Sequence, residues 1–157
     1  WGEPTVADTP DRTPLFIPGL ASFYSAIEPY TYPFMRFVVG ALLIPHGIEK
    51  LERGVSVFAA NNPAKLGFYP PTLWGWVVVT IEVIGGACIA LGLFTRFFAA
   101  AAAIELAIIA FGVHSATWSW TTRGMEYPLM WGCMMLVIAL RGSGELSLDR
   151  KLLGREL

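Results

Sequence analysis

The chain alternates long apolar stretches with short polar connections. Four stretches carry few charged residues, and they run from about Tyr32 to Leu51, Leu73 to Phe94, Phe97 to His114 and Glu126 to Leu140. A helix needs about 20 residues to cross a hydrocarbon layer roughly 30 Å thick, and only the fourth stretch falls clearly short of that length. The pattern predicts an all-α fold, an integral membrane four-helix antiparallel bundle.

The connections between these stretches contain residues that end helices. Asn61-Asn62-Pro63 and Pro70-Pro71 interrupt the segment 52–71. Thr95-Arg96 forms so short a turn that the next helix must run antiparallel to the previous one. Residues 1–30 are polar at first and then broken by prolines, so we expect an N-terminal extension (a tail plus an interfacial segment) ahead of a transmembrane domain at 31–157.

Composition supports a membrane protein. Of the 157 residues, 55% are hydrophobic and 15% are charged, whereas soluble domains carry about 25% charged residues. The net charge of -1 gives no sign of a nucleic-acid partner. Cys88 and Cys133 lie in apolar stretches and match no redox or zinc spacing, so we interpret them as packing residues and predict no metal site.

Basic residues indicate the orientation, because short cytoplasmic loops are enriched in Lys and Arg. The side that would hold both termini and the 95–96 turn carries Arg12, Arg96, Arg141, Arg150, Lys151 and Arg155. The opposite side carries Lys50, Arg53, Lys65 and Arg123. This asymmetry predicts that both termini are cytoplasmic.

Antiparallel order brings one end of every helix to the outer face, where chemically active side chains collect. The candidate ligand-binding residues at this outer mouth are His46, Trp74, Trp76, His114, Glu126 and Tyr127. Histidines and a carboxylate suit the carbonyls of a quinone, which take up protons on reduction. The alternatives are ordinary interfacial polar residues, or a haem held by His46 and His114, which lie closer to the membrane edge than a haem site requires.

Three charged residues interrupt the apolar stretches and form a candidate intramembrane charge network. Glu82 and Glu105 are both placed near mid-membrane, and Arg36 enters from the inner side. A charge in hydrocarbon is costly and marks a functional hypothesis by default. We expect Arg36 to face the interior and to bridge Glu82 or Glu105. The bridge would fix helix order, and a role in proton transfer is the alternative.

Four sequence segments occur in an order and spacing similar to those of a known family. They are PHGIEKL from Pro45, IEVIGGACIALGLFTR from Ile81, EYPLM from Glu126 and GSGELSLDR from Gly142. Together they resemble the DoxX family of small bacterial and archaeal membrane proteins. The resemblance implies a four-helix bundle in the cytoplasmic membrane. It also implies an association with quinone-linked redox, because the family takes its name from the small partner of a thiosulfate:quinone oxidoreductase.

The resemblance carries motif positions, not an agreed catalytic set. The matching positions are His46, Gly47, Lys50, Glu82, Gly85, Gly86, Glu126, Tyr127 and Pro128. Residues 1–30 lie outside the usual family pattern and look like an addition.

The sequence contains no flavin, haem, iron–sulfur or nucleotide motif. A subunit of a larger membrane complex, with no intrinsic cofactor and with a quinone or lipid as its ligand, is therefore favoured over a stand-alone enzyme. The alternative is a purely structural accessory or assembly subunit. The expected partners are membrane lipids and other membrane subunits, contacted through residues 1–30 and the helix faces.

Overall fold

A computed structural model describes residues 15–154, and all regular secondary structure in that range is helical. The α-helices are α1 (Ala21–Ala41), α2 (Ile44–Arg53), α3 (Val55–Asn61), α4 (Pro71–Thr80), α5 (Gly86–Leu91), α6 (Thr95–Ile108) and α7 (Glu126–Arg141). Short 3-10 turns occupy Pro18–Leu20 and Trp120–Thr122, and wider π turns occupy Ile81–Gly85, Ile109–Val113 and Asp149–Leu153. The all-α prediction is confirmed for this part of the chain.

Two helices of the described range are long and apolar enough to cross a membrane. The π turn at Ile81–Gly85 joins α4 to α5, which gives one helix of 21 residues, Pro71–Leu91. A second π turn extends α6 to Val113, which gives 19 residues, Thr95–Val113. They correspond to the second and third predicted spans.

The first predicted span, residues 32–51, has the wrong bounds. Helix α1 begins at Ala21, passes through Pro29 and Pro33, and ends at Ala41, and α2 begins at Ile44. From the sequence, Pro29 is expected to interrupt the chain ahead of the first span, but it lies within α1, because apolar helices tolerate proline when other groups satisfy the backbone. The break falls instead ahead of Pro45, which lies in the first turn of α2, where its missing N–H costs nothing.

The beginning of α1 stands apart from the rest of the molecule. Every residue from 15 to 31 is exposed, and Tyr32 is the first buried residue of the helix. The predicted division at residue 30 therefore lies inside a continuous helix, two residues before the first buried position. Residues 1–14 of the predicted extension lie outside the described residues.

Small residues allow the helices to approach closely. A Cβ on Gly40 would lie 2.6 Å from Ala90 N, and a Cβ on Gly86 would lie 2.8 Å from Gly40 O. Helix α1 therefore packs directly on the backbone of α5, while α6 packs along α7. The buried core consists of Tyr32, Val39, Leu43, Ile89, Ala99, Ala102, Leu106, Trp131, Met135 and Ile138.

The segment after α7 folds back and closes one end of the molecule. Asp149 is fully buried, and its carboxylate accepts hydrogen bonds from Phe94 N at 2.8 Å and Thr95 N at 3.3 Å. It therefore caps the N-terminus of α6 from a distant part of the chain. Tyr32 donates to the Gly142 carbonyl beside it. We call this the capped end, and the opposite end, with the 62–70 and 114–125 loops, the loop end.

Candidate functional site

A cavity of about 780 Å³ lies toward the loop end. Side chains from α2, α3, α4, α6 and α7 line it, together with residues of both loops. Four of the six residues predicted for the outer mouth line this cavity: His46, Trp74, His114 and Tyr127. Chain order alone was enough to bring them together, because each lies near the same end of its helix.

Helix α2 supplies one wall through a regular spacing. His46, Glu49, Lys50 and Arg53 all line the cavity, and positions i, i+3, i+4 and i+7 share one face of a helix. Arg53 Nη2 lies 2.6 Å from Glu49 Oε1, and both side chains are more than half exposed. This ion pair marks a rim that is open to the surroundings.

The floor holds a buried ion pair. Lys50 Nζ lies 2.7 Å from both carboxylate oxygens of Glu82, which is 3% exposed. Glycine makes the pairing possible, because a Cβ on Gly47 would lie 3.0 Å from the Glu82 Cβ and 2.5 Å from a Val83 methyl. Helix α2 therefore lies close enough for the lysine to reach a carboxylate in the middle of an apolar helix.

Beside this pair lie two buried polar groups with unused hydrogen-bonding capacity among the described residues. They are the carboxyl group of Glu105, which is 7% exposed, and the indole Nε1 of Trp131, which is 6% exposed. Both residues line the cavity, and the Glu105 carboxyl lies within hydrogen-bond reach of the Glu82 carboxyl and close to Lys50. The floor thus combines an ion pair with an unused donor and at least one unused acceptor.

Aromatic rings form much of the wall. The Trp131 ring makes edge contacts with His46 and Tyr127, with centroids 5.6 and 5.4 Å apart. Trp74 lies 5.0 Å from the Phe68 ring. Such rings offer flat apolar surfaces together with polar edges, a lining that suits a planar ligand.

The backbone fixes the tautomer of His114. Its Nδ1 is hydrogen-bonded to the Arg123 carbonyl, which can only accept, so Nδ1 carries the hydrogen. In the neutral ring, Nε2 then presents a lone pair. His46 has no corresponding anchor through its ring nitrogens among the contacts of the described residues, and it is exposed at the rim.

Two predicted mouth residues lie outside the cavity. Glu126 accepts a hydrogen bond from Trp120 N at 3.2 Å, so it holds the 114–125 loop against the start of α7. Trp76 lies on an exposed face of α4. The periodicity of α4 explains the difference, because Trp74 and Val78 lie one turn apart on the cavity face and Trp76 lies between them.

The predicted charge network is divided between two places. Arg36 is buried as expected, but its guanidinium donates to the carbonyls of Ser143 and Leu146 at the capped end. Glu82 pairs with Lys50 instead, so the expected bridge from Arg36 to Glu82 or Glu105 is wrong. The break ahead of Pro45 lets α2 bring Lys50 to the cavity, while Arg36 lies 14 residues earlier in the chain, toward the capped end.

Sequence reasoning missed Trp131 and the pairing partner of Glu82. Both had a signal in the spacing, because Trp131 follows Tyr127 by four residues and Lys50 follows His46 by four residues on the same helix faces. Phe58 and Phe68 were missed for another reason. They come from the segment 52–71, where helical periodicity does not continue along the whole segment. No local pattern predicts that this segment folds onto the cavity.

Comparison with known proteins identifies the family of the chain. The model of the DoxX family matches residues 33–115, more than half of the chain. An uncharacterized protein of Haemophilus influenzae is 32% identical over 129 residues, which cover 79% of this chain and 92% of that protein. No solved structure matches the chain. On these matches, the chain belongs to the DoxX family.

Proposed function

We propose that this protein is a small integral membrane subunit that binds a quinone head group in the cavity at its loop end. The observation that carries the proposal is the cavity itself, where Glu82, Glu105, Lys50 and Trp131 form a polar floor beneath aromatic walls. Four antiparallel segments, formed by α1–α2, Pro71–Leu91, Thr95–Val113 and α7, would embed it in the membrane.

The dimensions and chemistry of the cavity support this ligand class. Small-molecule sites enclose roughly 300–1,000 Å³ and combine apolar walls with a few polar groups that fix orientation. Val78, Leu106 and Ile109 line the cavity with apolar surface, which suits the start of an isoprenoid tail. His114 and the floor carboxyls supply groups that exchange protons with a reacting carbonyl.

The redox partner would belong to another subunit. The sequence has no flavin, haem, iron–sulfur or nucleotide motif, so electrons for a bound quinone would come from a neighbouring protein. We further propose a bacterial or archaeal cytoplasmic membrane, with both termini in the cytoplasm and the cavity facing the outer side, as the distribution of basic residues favours.

Filling the cavity tests the proposal. Val78 lines the cavity and adjacent Val77 faces away from it, so Val78→Trp should displace the ligand and Val77→Trp should not. Each variant is purified from its native membrane in mild detergent, and bound quinones and lipids are extracted and quantified. We expect quinone to co-purify with wild type and with Val77→Trp but not with Val78→Trp. Equal quinone content in all three would contradict it.

A second candidate, an accessory subunit without chemistry, is favoured by the exposed start of α1. Leu20, Phe23, Tyr24, Ile27 and Tyr30 are all large, apolar or aromatic, and exposed. Such a surface suits contact with another membrane protein or with lipid. Deleting residues 1–25 should leave the protein in the membrane but loosen it from co-purifying subunits. Unchanged co-purification after the deletion would remove support for docking through this segment.

A further inference from the structure

The cavity floor presents one unused donor and at least one unused acceptor. Trp131 Nε1 is buried with no hydrogen-bond partner among the described residues, and the buried Glu105 carboxyl, which lies within hydrogen-bond reach of the Glu82 carboxyl, keeps at least one oxygen without a donor. Leaving such groups unpaired in a low-dielectric site costs free energy, and native structures normally pair them. A ligand that supplied both an acceptor and a donor here would therefore gain binding energy from each.

The two groups lie at the same depth. Helices α6 and α7 pack side by side, and a Cβ on Gly132 would lie 3.3 Å from the Leu106 Cβ. Trp131 and Glu105 are the residues that directly precede this contact on the two helices, and both line the cavity. One ligand group on the cavity side of this contact can therefore approach both side chains.

The Lys50 ammonium group donates no hydrogen bond to the Glu105 carboxyl. The ammonium group of Lys50 has three N–H donors, and its three acceptors are Glu82 Oε1 and Oε2 at 2.7 Å and the His46 carbonyl at 3.3 Å. A carboxyl group carries at most one hydrogen, so in either protonation state Glu105 keeps at least one oxygen that needs a donor.

We infer that the cavity binds the ring in its hydroquinone form, with one phenolic hydroxyl held between Trp131 and Glu105. The hydroxyl oxygen accepts from Trp131 Nε1 and its hydrogen is donated to a Glu105 oxygen. A quinone carbonyl accepts from Trp131 but has no hydrogen to donate, so it satisfies only one side of the site. This inference rests on the proposed quinone site and names the redox form that the site prefers.

Binding of matched probes tests the preference. The full-length protein in lipid nanodiscs is titrated calorimetrically under anaerobic conditions, with empty nanodiscs correcting for partition into lipid. The probes are a short-chain alkyl 1,4-benzoquinone, its 1,4-hydroquinone and the dimethyl ether of that hydroquinone, which lacks the O–H donors. We expect the hydroquinone to bind about tenfold tighter than the quinone, because it makes one additional hydrogen bond in the site.

Two variants separate the two contacts. Trp131→Phe removes the donor and should weaken quinone and hydroquinone alike, because both offer an acceptor oxygen. Glu105→Leu removes the acceptor and should weaken only the hydroquinone, so that the two redox forms bind equally. The matched controls are Trp118→Phe and Glu145→Gln, exposed residues that do not line the cavity, and they should bind as wild type does.

The outcomes distinguish this inference from the function on which it rests. If quinone and hydroquinone bind wild type equally, or if Glu105→Leu weakens both forms alike, the contact of a phenolic hydroxyl with both Trp131 and Glu105 is wrong, and the quinone site stands. If no probe binds wild type above empty nanodiscs, the quinone site itself is wrong. The hydroxyl contact is established if wild type prefers the hydroquinone, Glu105→Leu abolishes that preference and Glu145→Gln preserves it.

Discussion

Lys50 on α2 and Glu82 on the Pro71–Leu91 helix form a buried ion pair, with the ammonium nitrogen 2.7 Å from both carboxylate oxygens. The glutamate side chain is 4% exposed and the lysine side chain 18% exposed. Helix α2 begins only after the break at residues 42–43. This break therefore sets the position from which Lys50 reaches Glu82 on the Pro71–Leu91 helix. The pair forms the floor of the proposed ligand site.

Removing one partner of this pair should be costly. Lys50→Met leaves the buried Glu82 without its cation, and loss of one partner of a buried ion pair costs about 3 kcal/mol or more. The double variant Lys50→Met/Glu82→Met should recover much of that loss. Unfolding in detergent, followed by circular dichroism, measures both effects.

The exposed Glu49–Arg53 pair supplies the control for this measurement. Arg53→Met breaks an ion pair at the rim, and surface pairs contribute at most about 1 kcal/mol. If Lys50→Met and Arg53→Met lower stability equally, the Lys50–Glu82 pair does not hold α2 against the Pro71–Leu91 helix.

Asp149 should stabilise the capped end without affecting the cavity. Asp149→Ala removes the carboxylate from Phe94 N and Thr95 N, and loss of a helix N-cap costs roughly 1–2 kcal/mol. Glu145→Ala, in the same segment but exposed, should change stability by less than about 0.5 kcal/mol. Thermal unfolding in detergent compares the two, and equal melting temperatures would exclude the capping role.

The contact between Gly40 and the backbone of α5 should not tolerate a methyl group. In an open helix, Gly→Ala gains about 1 kcal/mol, yet a Cβ on Gly40 would lie 2.6 Å from Ala90 N. Gly40→Ala should therefore lower the melting temperature despite the gain in helix propensity. Gly19→Ala, with no atom within 4 Å of its Cβ, is the matched control. A more stable Gly40→Ala protein would show that α1 and α5 do not pack this closely.

Labelling with a membrane-impermeant thiol reagent tests the orientation. Single cysteines are placed at Asn61, the exposed last residue of α3, and at Glu145, which is exposed at the capped end, after Cys88 and Cys133 are replaced. In intact cells Asn61→Cys should react and Glu145→Cys should react only after permeabilisation. The reverse pattern would invert the proposed topology and place the cavity on the cytoplasmic side.

The sequence predicts those features that depend on chain order and apolar length. The gathering of His46, Trp74, His114 and Tyr127 follows from antiparallel chain order, and the positions of the Pro71–Leu91 and Thr95–Val113 helices follow from the apolar stretches. The partner of Glu82 could not be predicted in this way, because it depends on where α1 ends. Two prolines lie within α1 and a third follows its end, and local propensity does not say which of them breaks the helix.

The fold-back of residues 142–149 could not be predicted for a different reason. Its contacts with Arg36 and with the N-terminus of α6 join residues far apart in the sequence. Neither periodicity nor the placement of apolar stretches encodes such a contact. The sequence therefore pairs Arg36 with the nearest opposite charges, whereas in the structure its guanidinium donates to backbone carbonyls.

Photolabelling tests the central claim most directly. A photoreactive azidoquinone is added to native membranes that contain the protein, and the labelled peptides are mapped by mass spectrometry with and without excess unlabelled quinone. The account predicts competed labelling of cavity residues such as His46, Trp74 and Tyr127, and none of it in Val78→Trp. Labelling that falls only on exposed faces outside the cavity, such as Phe97 or Phe111, or that excess quinone does not reduce, would contradict it.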